Sequence, residues 1–162
     1  MADESYQDFD KRLISDLRAS AGRATSGPSG GRQLLILTTR GARSGQLREH
    51  PLAFSVAGDA YVVVASKGGA PSNPDWYHNL VANPDVRVEV GGRSLKARAR
   101  VTDGDEYERL FKAHADRMPG FWEYRRKTER KLPVIVLEPL EPADESGVLG
   151  SEAEYASADA EG

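Results

Sequence analysis

The chain has 162 residues, a net charge of −3 and no cysteine. That length suits one domain with its own core, and the missing cysteine excludes disulfides, thiolate metal sites and cysteine nucleophiles together. No run approaches the roughly 20 apolar residues needed to cross a bilayer, and the acidic start from Met1 to Asp10 is unlike a secretion signal, which makes the cytoplasm the default compartment. The charge is unevenly spread. From Glu141 to Gly162 there are seven acidic residues and no lysine or arginine, so the body before that tail is mildly basic. Such a body suits an anionic small molecule and lacks the strongly basic face of a nucleic-acid binder.

Phe9, Leu13, Ile14 and Leu17 recur at a helical period and predict a helix over residues 6–19. Four glycines between Ala21 and Gly31 then make a flexible connection. Gln33–Thr39 is a short apolar run with the character of a buried strand. Leu52–Val56 and Tyr61–Ala65 follow as strands joined by a turn at Gly58-Asp59. Asn73-Pro74-Asp75 reads as a helix start, with Asn73 as N-cap and proline at the first helical position. Trp76 and Leu80 supply that helix's inner face, and Asn83-Pro84 stops it.

Val86–Val90 and Leu95–Val101 alternate apolar and charged residues across a turn at Gly91-Gly92, as a half-solvated hairpin does. Thr102 and Asp103 fit as caps of the next helix, and Glu106 stands three residues after Asp103, the spacing of a capping box. Tyr107, Leu110, Phe111 and His114 line one face of that helix. A further helix is expected over 120–130, and Pro133–Glu138 is the last strand. Strands in hairpins separated by helices, with no βαβ alternation, predict an α+β fold: an antiparallel closed or split barrel with helices packed outside. The chain divides into a helix and linker (1–32), a barrel domain (33–140) and an acidic tail expected to be disordered (141–162).

Three segments carry candidate chemistry. After the first strand, Thr38-Thr39-Arg40-Gly41-Ala42-Arg43-Ser44-Gly45, with Arg48 beyond, combines turn-forming glycines, forked arginine donors and a hydroxyl, a set able to hold phosphate without a P-loop. A soluble surface turn accounts for it equally simply. Ala65-Ser66-Lys67-Gly68-Gly69 offers close backbone approach and a positive charge. Trp76-Tyr77-His78-Asn79 follows with aromatic surface for a ring system, although Trp76 also suits the core. Met118, Phe121 and Tyr124 recur every three residues, either as helix packing or as a pocket wall in which Tyr124 gives a proton. His50, His78 and His114 lack metal-ligand spacing, so no metal is expected. The Rossmann fingerprint and the nucleophile motifs are absent as well.

In this order, LLILTTRGARSG, YVVVASKGGAPSNPDWYHNLVANPDVRVEVGG and RRKTERKLPVIVLEP resemble the deazaflavin-dependent nitroreductase family, from about Leu34 to Pro139. The resemblance implies a split barrel of the flavin-reductase and pyridoxamine-phosphate-oxidase type. It also implies coenzyme F-420, an 8-hydroxy-5-deazaflavin, as hydride donor to a small electrophilic acceptor such as a quinone, an enone or a nitro compound. It implies that Arg40, Arg43, Ser44 and Arg48 face the cofactor's phosphate and acidic tail. Ala65, Ser66, Lys67, Gly68 and Gly69 would line the deazaflavin edge, and Trp76, Tyr77 and Asn79 would complete or support that pocket. Family members often carry tyrosines where this chain has Met118 and Phe121, so Tyr124 alone keeps a hydroxyl for proton donation. The alternatives are an FMN oxidoreductase on the same barrel and a non-catalytic deazaflavin-binding protein. Split barrels often pair, which admits a homodimer.

Overall fold

The structure is a computed structural model that describes residues 2–20 and 33–140, with side chains from residue 11 onward. The expected linker and acidic tail, with the domain limits drawn from them, lie outside the described residues. Among these residues the chain forms α1 (Ala2–Ala19), β1 (Leu35–Arg40), β2 (Leu47–Leu52), β3 (Ser55–Ala57), β4 (Ala60–Val64), one 3-10 turn (Lys67–Gly69), α2 (Asp75–Ala82), β5 (Asp85–Val90), β6 (Arg93–Val101), α3 (Gly104–Arg117), α4 (Gly120–Lys127) and β7 (Val134–Pro139). The seven strands make one wholly antiparallel sheet, ordered β2-β1-β5-β6-β7-β4-β3, which curls as a split barrel.

The alternation of side chains along a strand sorts the core into an inner and an outer half. Leu35, Leu37, Val63, Val88, Ile135 and Leu137 point inward, where Trp76 and Leu80 of α2 join them. On the outer side, Ile36 meets Ile14 and Leu17 of α1. Val62, Val64, Val134 and Val136 meet Tyr107, Leu110 and Phe111 of α3. β1, β4 and β7 are therefore covered on both faces, the reason they read as continuous apolar runs. β5 and β6 turn Arg87, Arg98 and Arg100 to solvent and so alternate.

Four expectations need correction. The strand expected over Leu52–Val56 is the junction of two strands, with Ala53 and Phe54 between β2 and β3. β2 escapes a pattern search because it is an edge strand rich in charge. Its edge position also accommodates Pro51, which has no N–H for the ladder. Asn73 does not cap α2; the cap is Pro74, and the Asn73 side chain instead accepts a hydrogen bond from Arg130. Asp103 is the N-cap of α3 but makes no side-chain cap bond. Glu106 is drawn away by Arg100, with Nη1 and Nη2 donating at 2.8 and 3.0 Å, so the capping box does not form. Finally, α4 ends at Lys127, three residues short of the expected limit.

Candidate functional site

The loop between β1 and β2 is built from short internal bonds. Gly41 N–H donates to Gln46 O (2.7 Å), Gly45 N–H to Gly41 O (3.0 Å) and Gln46 N–H to Ser44 Oγ (3.1 Å). Arg40 Nη1 donates to Gly45 O at 2.7 Å, so part of this guanidinium braces the loop. Arg43, Ser44 and Arg48 are exposed. The loop is tied to α2 by buried Asn79: Ala42 N–H donates to its Oδ1 (3.0 Å), while its Nδ2 donates to Thr39 Oγ1 (3.2 Å). Asn79 thus supports the loop, and both ends of its amide are in use.

On β2, Arg48 and His50 stand opposite Thr39 and Leu37 and so share the inward face. Burial pushes His50 down to about 4, with the Asp75 carboxylate opposing that fall and Arg48 adding to it. The imidazole is neutral at neutral pH, 3.4 Å from Thr39 Oγ1. Thr39 belongs to the expected loop segment without a role of its own, and His50 entered only as a histidine lacking metal-ligand spacing. The every-second-residue spacing of Arg48 and His50 is the signal that identifies them once β2 is recognised as a strand.

The second segment leaves β4 at Ala65, whose N–H donates to Pro133 O at 2.9 Å. Ala65 and Ser66 are buried; Lys67 and Gly68 are exposed. Lys67 (φ 49°) is the non-glycine residue with positive φ among the described residues, and Gly68 (φ 65°) and Gly69 (φ 85°) continue the left-handed run. Ser66 before them is right-handed helical (φ −84°, ψ −37°). A right-handed residue followed by a left-handed one gathers successive N–H groups into a concavity that attracts negative charge. Trp76 is buried beside Ala65 in the inner core, and Tyr77 is half-buried against the same cluster. Trp76 and Asn79 lie on one face of α2; Asn79 holds the arginine loop, while Trp76 packs in the inner core that includes Ala65.

Of the third segment, Met118 is buried at the C-cap of α3, whereas Phe121 and Tyr124 belong to α4. The Phe121 and Tyr124 rings meet edge-on at 5.3 Å, and Phe121 meets His114 edge-on at 4.5 Å. Tyr124 is half-buried, and its hydroxyl lies about 4.0 Å from where a side chain on Gly120 would begin. α4 rests on the lysine turn: a Cβ on Gly69 would stand 3.0 Å from both Tyr124 O and Lys127 Cβ. The Tyr124 backbone thereby lies against the lysine turn, while its ring packs with Phe121 on the outer half of the core. No group of three histidines and carboxylates among the described residues is placed to hold a metal, and no helix there is long and apolar enough to cross a membrane.

The rim around α2 therefore offers exposed cations, a backbone concavity for anions and aromatic surface in one antiparallel barrel. Comparison with known proteins agrees. The family model of the F420H(2)-dependent quinone reductases matches residues 11–139, and the chain belongs to that family. A protein of that name from Mycobacterium tuberculosis is 38% identical over 123 residues, covering 74% of this chain and 83% of its own length. A solved F420-H2 dependent reductase is 40% identical with a TM-score of 0.61, over 65% of this chain and 93% of its own. A domain-swapped dimer is 35% identical with a TM-score of 0.63, over 82% of this chain and 98% of its own. A structure named as a pyridoxamine 5'-phosphate oxidase from Listeria innocua, 15% identical with a TM-score of 0.50, shares the fold; the match covers 68% of this chain and 86% of that one. The expected split barrel, the enzyme class (a deazaflavin-dependent oxidoreductase) and coenzyme F-420 as cofactor all stand. The family match also reaches into α1, further toward the N-terminus than the quoted motifs.

The residues at the rim fit that cofactor. Arg43, Arg48 and Lys67 have no carboxylate partner among the described residues, unlike Arg18, Arg98, Arg100, Arg125 and Arg126. An anionic ligand with a phosphate and acidic groups would find uncommitted cations there, and the turn at Ser66–Gly68 would offer it backbone N–H groups beside the Lys67 ammonium.

Proposed function

We propose that this chain reduces a quinone with reduced coenzyme F-420 at the rim of the barrel around α2, in the cytoplasm. The observation that supports the reading is α2, whose Asn79 ties down the loop that carries Arg43 and whose Trp76 shares the inner core with Ala65, the residue from which the left-handed lysine turn leaves β4. Arg43 and Arg48, with the unbraced part of Arg40 and the Ser44 hydroxyl, hold the phosphate and acidic tail by charge-assisted hydrogen bonds. Ala65 to Gly69 line the polar edge of the ring system, where Lys67 adds charge and Gly68 leaves the backbone bare. Trp76 and Tyr77 supply apolar wall, and Asn79 keeps the two segments in register. When bound, the reduced deazaflavin supplies a hydride from a ring carbon. The chain's part is to orient the acceptor, exclude water and provide a proton, for which Tyr124 is the candidate.

Titration of the purified chain with coenzyme F-420 and, in parallel, with FMN, followed by tryptophan quenching, tests the cofactor half. Preference for the deazaflavin, with about tenfold weaker binding in Arg43→Ala, is the expected result. Preference for FMN supports the flavin alternative, and tight deazaflavin binding without transfer to any quinone supports a carrier. Tyr124→Phe should lower turnover and alter its pH profile while leaving cofactor affinity intact. An unchanged profile removes Tyr124 from the proton path. Pairing of two barrels is part of the same reading, and sedimentation with and without cofactor measures it.

A further inference from the structure

Arg130 lies between α4 and β7 and, among the described residues, places all its hydrogen bonds on neutral acceptors. Nε donates to Ala70 O (2.8 Å), Nη2 to Ser66 O (2.8 Å) and Nη1 to Ala65 O (3.3 Å), to the Asn73 side chain and to its neighbour's Lys131 O (3.4 Å). The side chain is half-buried, no carboxylate pairs with it among the described residues, and burial pushes its pKa down. A partly desolvated guanidinium without a counter-ion is costly unless its fork of donors is used. Apart from the bond to the adjacent Lys131 O, the fork is spent on a single stretch of chain, Ala65 to Asn73.

The consequence follows from peptide geometry. In a trans peptide the C=O and the N–H of the next residue point in opposite directions. Drawing Ser66 O onto Arg130 therefore turns the Lys67 N–H away from the guanidinium, toward the side on which Lys67 and Gly68 are exposed. Ser66, Gly69 and Ala70 N–H groups are closed onto Val64 O (2.9 Å), Ser66 O (2.9 Å) and Lys67 O (3.1 Å). The N–H groups of Lys67 and Gly68 are not in that set. They form the open part of the concavity.

We propose that Arg130 is a positioning residue that holds Ala65–Asn73 with the Lys67 and Gly68 N–H groups pre-aimed at the polar edge of the deazaflavin, without touching it. This rests on the cofactor reading above and adds to it the residue that shapes the turn from the rear.

Full-length Arg130→Lys and Asn73→Ala test the proposal by two readouts. Lysine keeps the charge and loses the fork, so it separates geometry from long-range electrostatics. In the cofactor-free protein, amide exchange at Gly69 and Ala70 should accelerate by about tenfold or more in Arg130→Lys while β4 and β7 keep their protection. Affinity for coenzyme F-420 should fall by about tenfold, with KM for the cofactor rising more than kcat falls. Asn73→Ala removes one partner of the fork and should show the same local pattern at smaller amplitude, which keeps the test decisive if Arg130→Lys does not fold. Wild-type affinity in Arg130→Lys, or unchanged exchange at Gly69 and Ala70 in both variants, overturns the proposal. A wild-type chain that binds no coenzyme would instead overturn the cofactor reading and the affinity half with it, and exchange alone then decides whether Arg130 holds the turn.

Discussion

On the outer surface, Arg18 of α1 reaches Glu49 and Glu89 at 2.6 Å each, and Arg100 is shared between Glu106 (2.8 Å) and Glu138 (3.3 Å). At the rim around α2, Arg43, Arg48 and Lys67 are exposed with no carboxylate near enough to pair among the described residues. Lack of a partner is not distinctive by itself, since Arg87 and Lys96, opposite each other on β5 and β6, share it. The rim differs because Arg43 and Lys67 sit on turns whose backbone is also committed to an unusual shape, the one braced by Asn79 and the other by α4, with Arg48 on the strand that follows the first turn. Outer arginines stitch helices and strands together; rim cations sit on scaffolding that has no need of their charge. Charge lost from the outside should cost a little stability and no ligand affinity, and charge lost from the rim should do the reverse.

The largest effect is expected where the rim backbone meets the fold. Gly69→Ala forces a side chain into φ 85° and to within 3.0 Å of Tyr124 O and Lys127 Cβ, neither of which is the free end of a flexible chain. Left-handed strain and overpacking together should cost about 2–4 kcal/mol in urea unfolding and displace α4 from the turn. A loss below about 1 kcal/mol would mean that α4 gives way easily and does not fix the turn.

The next effect lies within β2, where Arg48 and His50 face the same way but differ in solvation. The unfolded chain takes up a proton at His50 below its ordinary value of 6.5, whereas the folded chain resists until about 4. Stability from this group is therefore complete above pH 6.5 and is lost as the pH falls toward 4. The difference between wild type and His50→Gln should shrink or reverse across that window by on the order of 2–3 kcal/mol, measured as urea midpoints at steps of pH. Parallel profiles would show that His50 is solvated in both states.

The legible and illegible parts of the sequence divide by the range of the forces involved. β1, β4 and β7 could be read because burial on both faces leaves an unbroken apolar run, and the β5–β6 hairpin because one solvated face imposes alternation. β2 could not, since an edge strand bearing Arg48, Glu49 and His50 resembles a loop until its partner β1 is known. The Asn73 cap and the capping box at Glu106 failed for the same reason, although Asp103 does stand at the N-cap of α3. Asn73 and Glu106 have the right local chemistry but are claimed by Arg130 and Arg100. At the site, the glycine-and-cation segments announced themselves, whereas the tie from Asn79 to a loop 37 residues away has no local signature.

The smallest and most diagnostic effect belongs to Lys67. Its φ of 49° is strained for a residue with a side chain, so nothing about the fold explains a lysine there. Lys67→Gly relieves that strain and returns part of the gain as extra freedom of the unfolded chain, leaving stability unchanged or higher by up to about 1 kcal/mol. The same change removes a cation from the rim and should weaken deazaflavin binding by about tenfold. Arg98→Ala is the matched control from the outside, where both Arg98 and its partner Asp85 are more than half exposed. It should lower stability by less than about 1 kcal/mol and leave binding unchanged. If Lys67→Gly loses stability and keeps affinity, then Lys67 belongs with the outer arginines and the distinction between the two regions fails at its most telling residue.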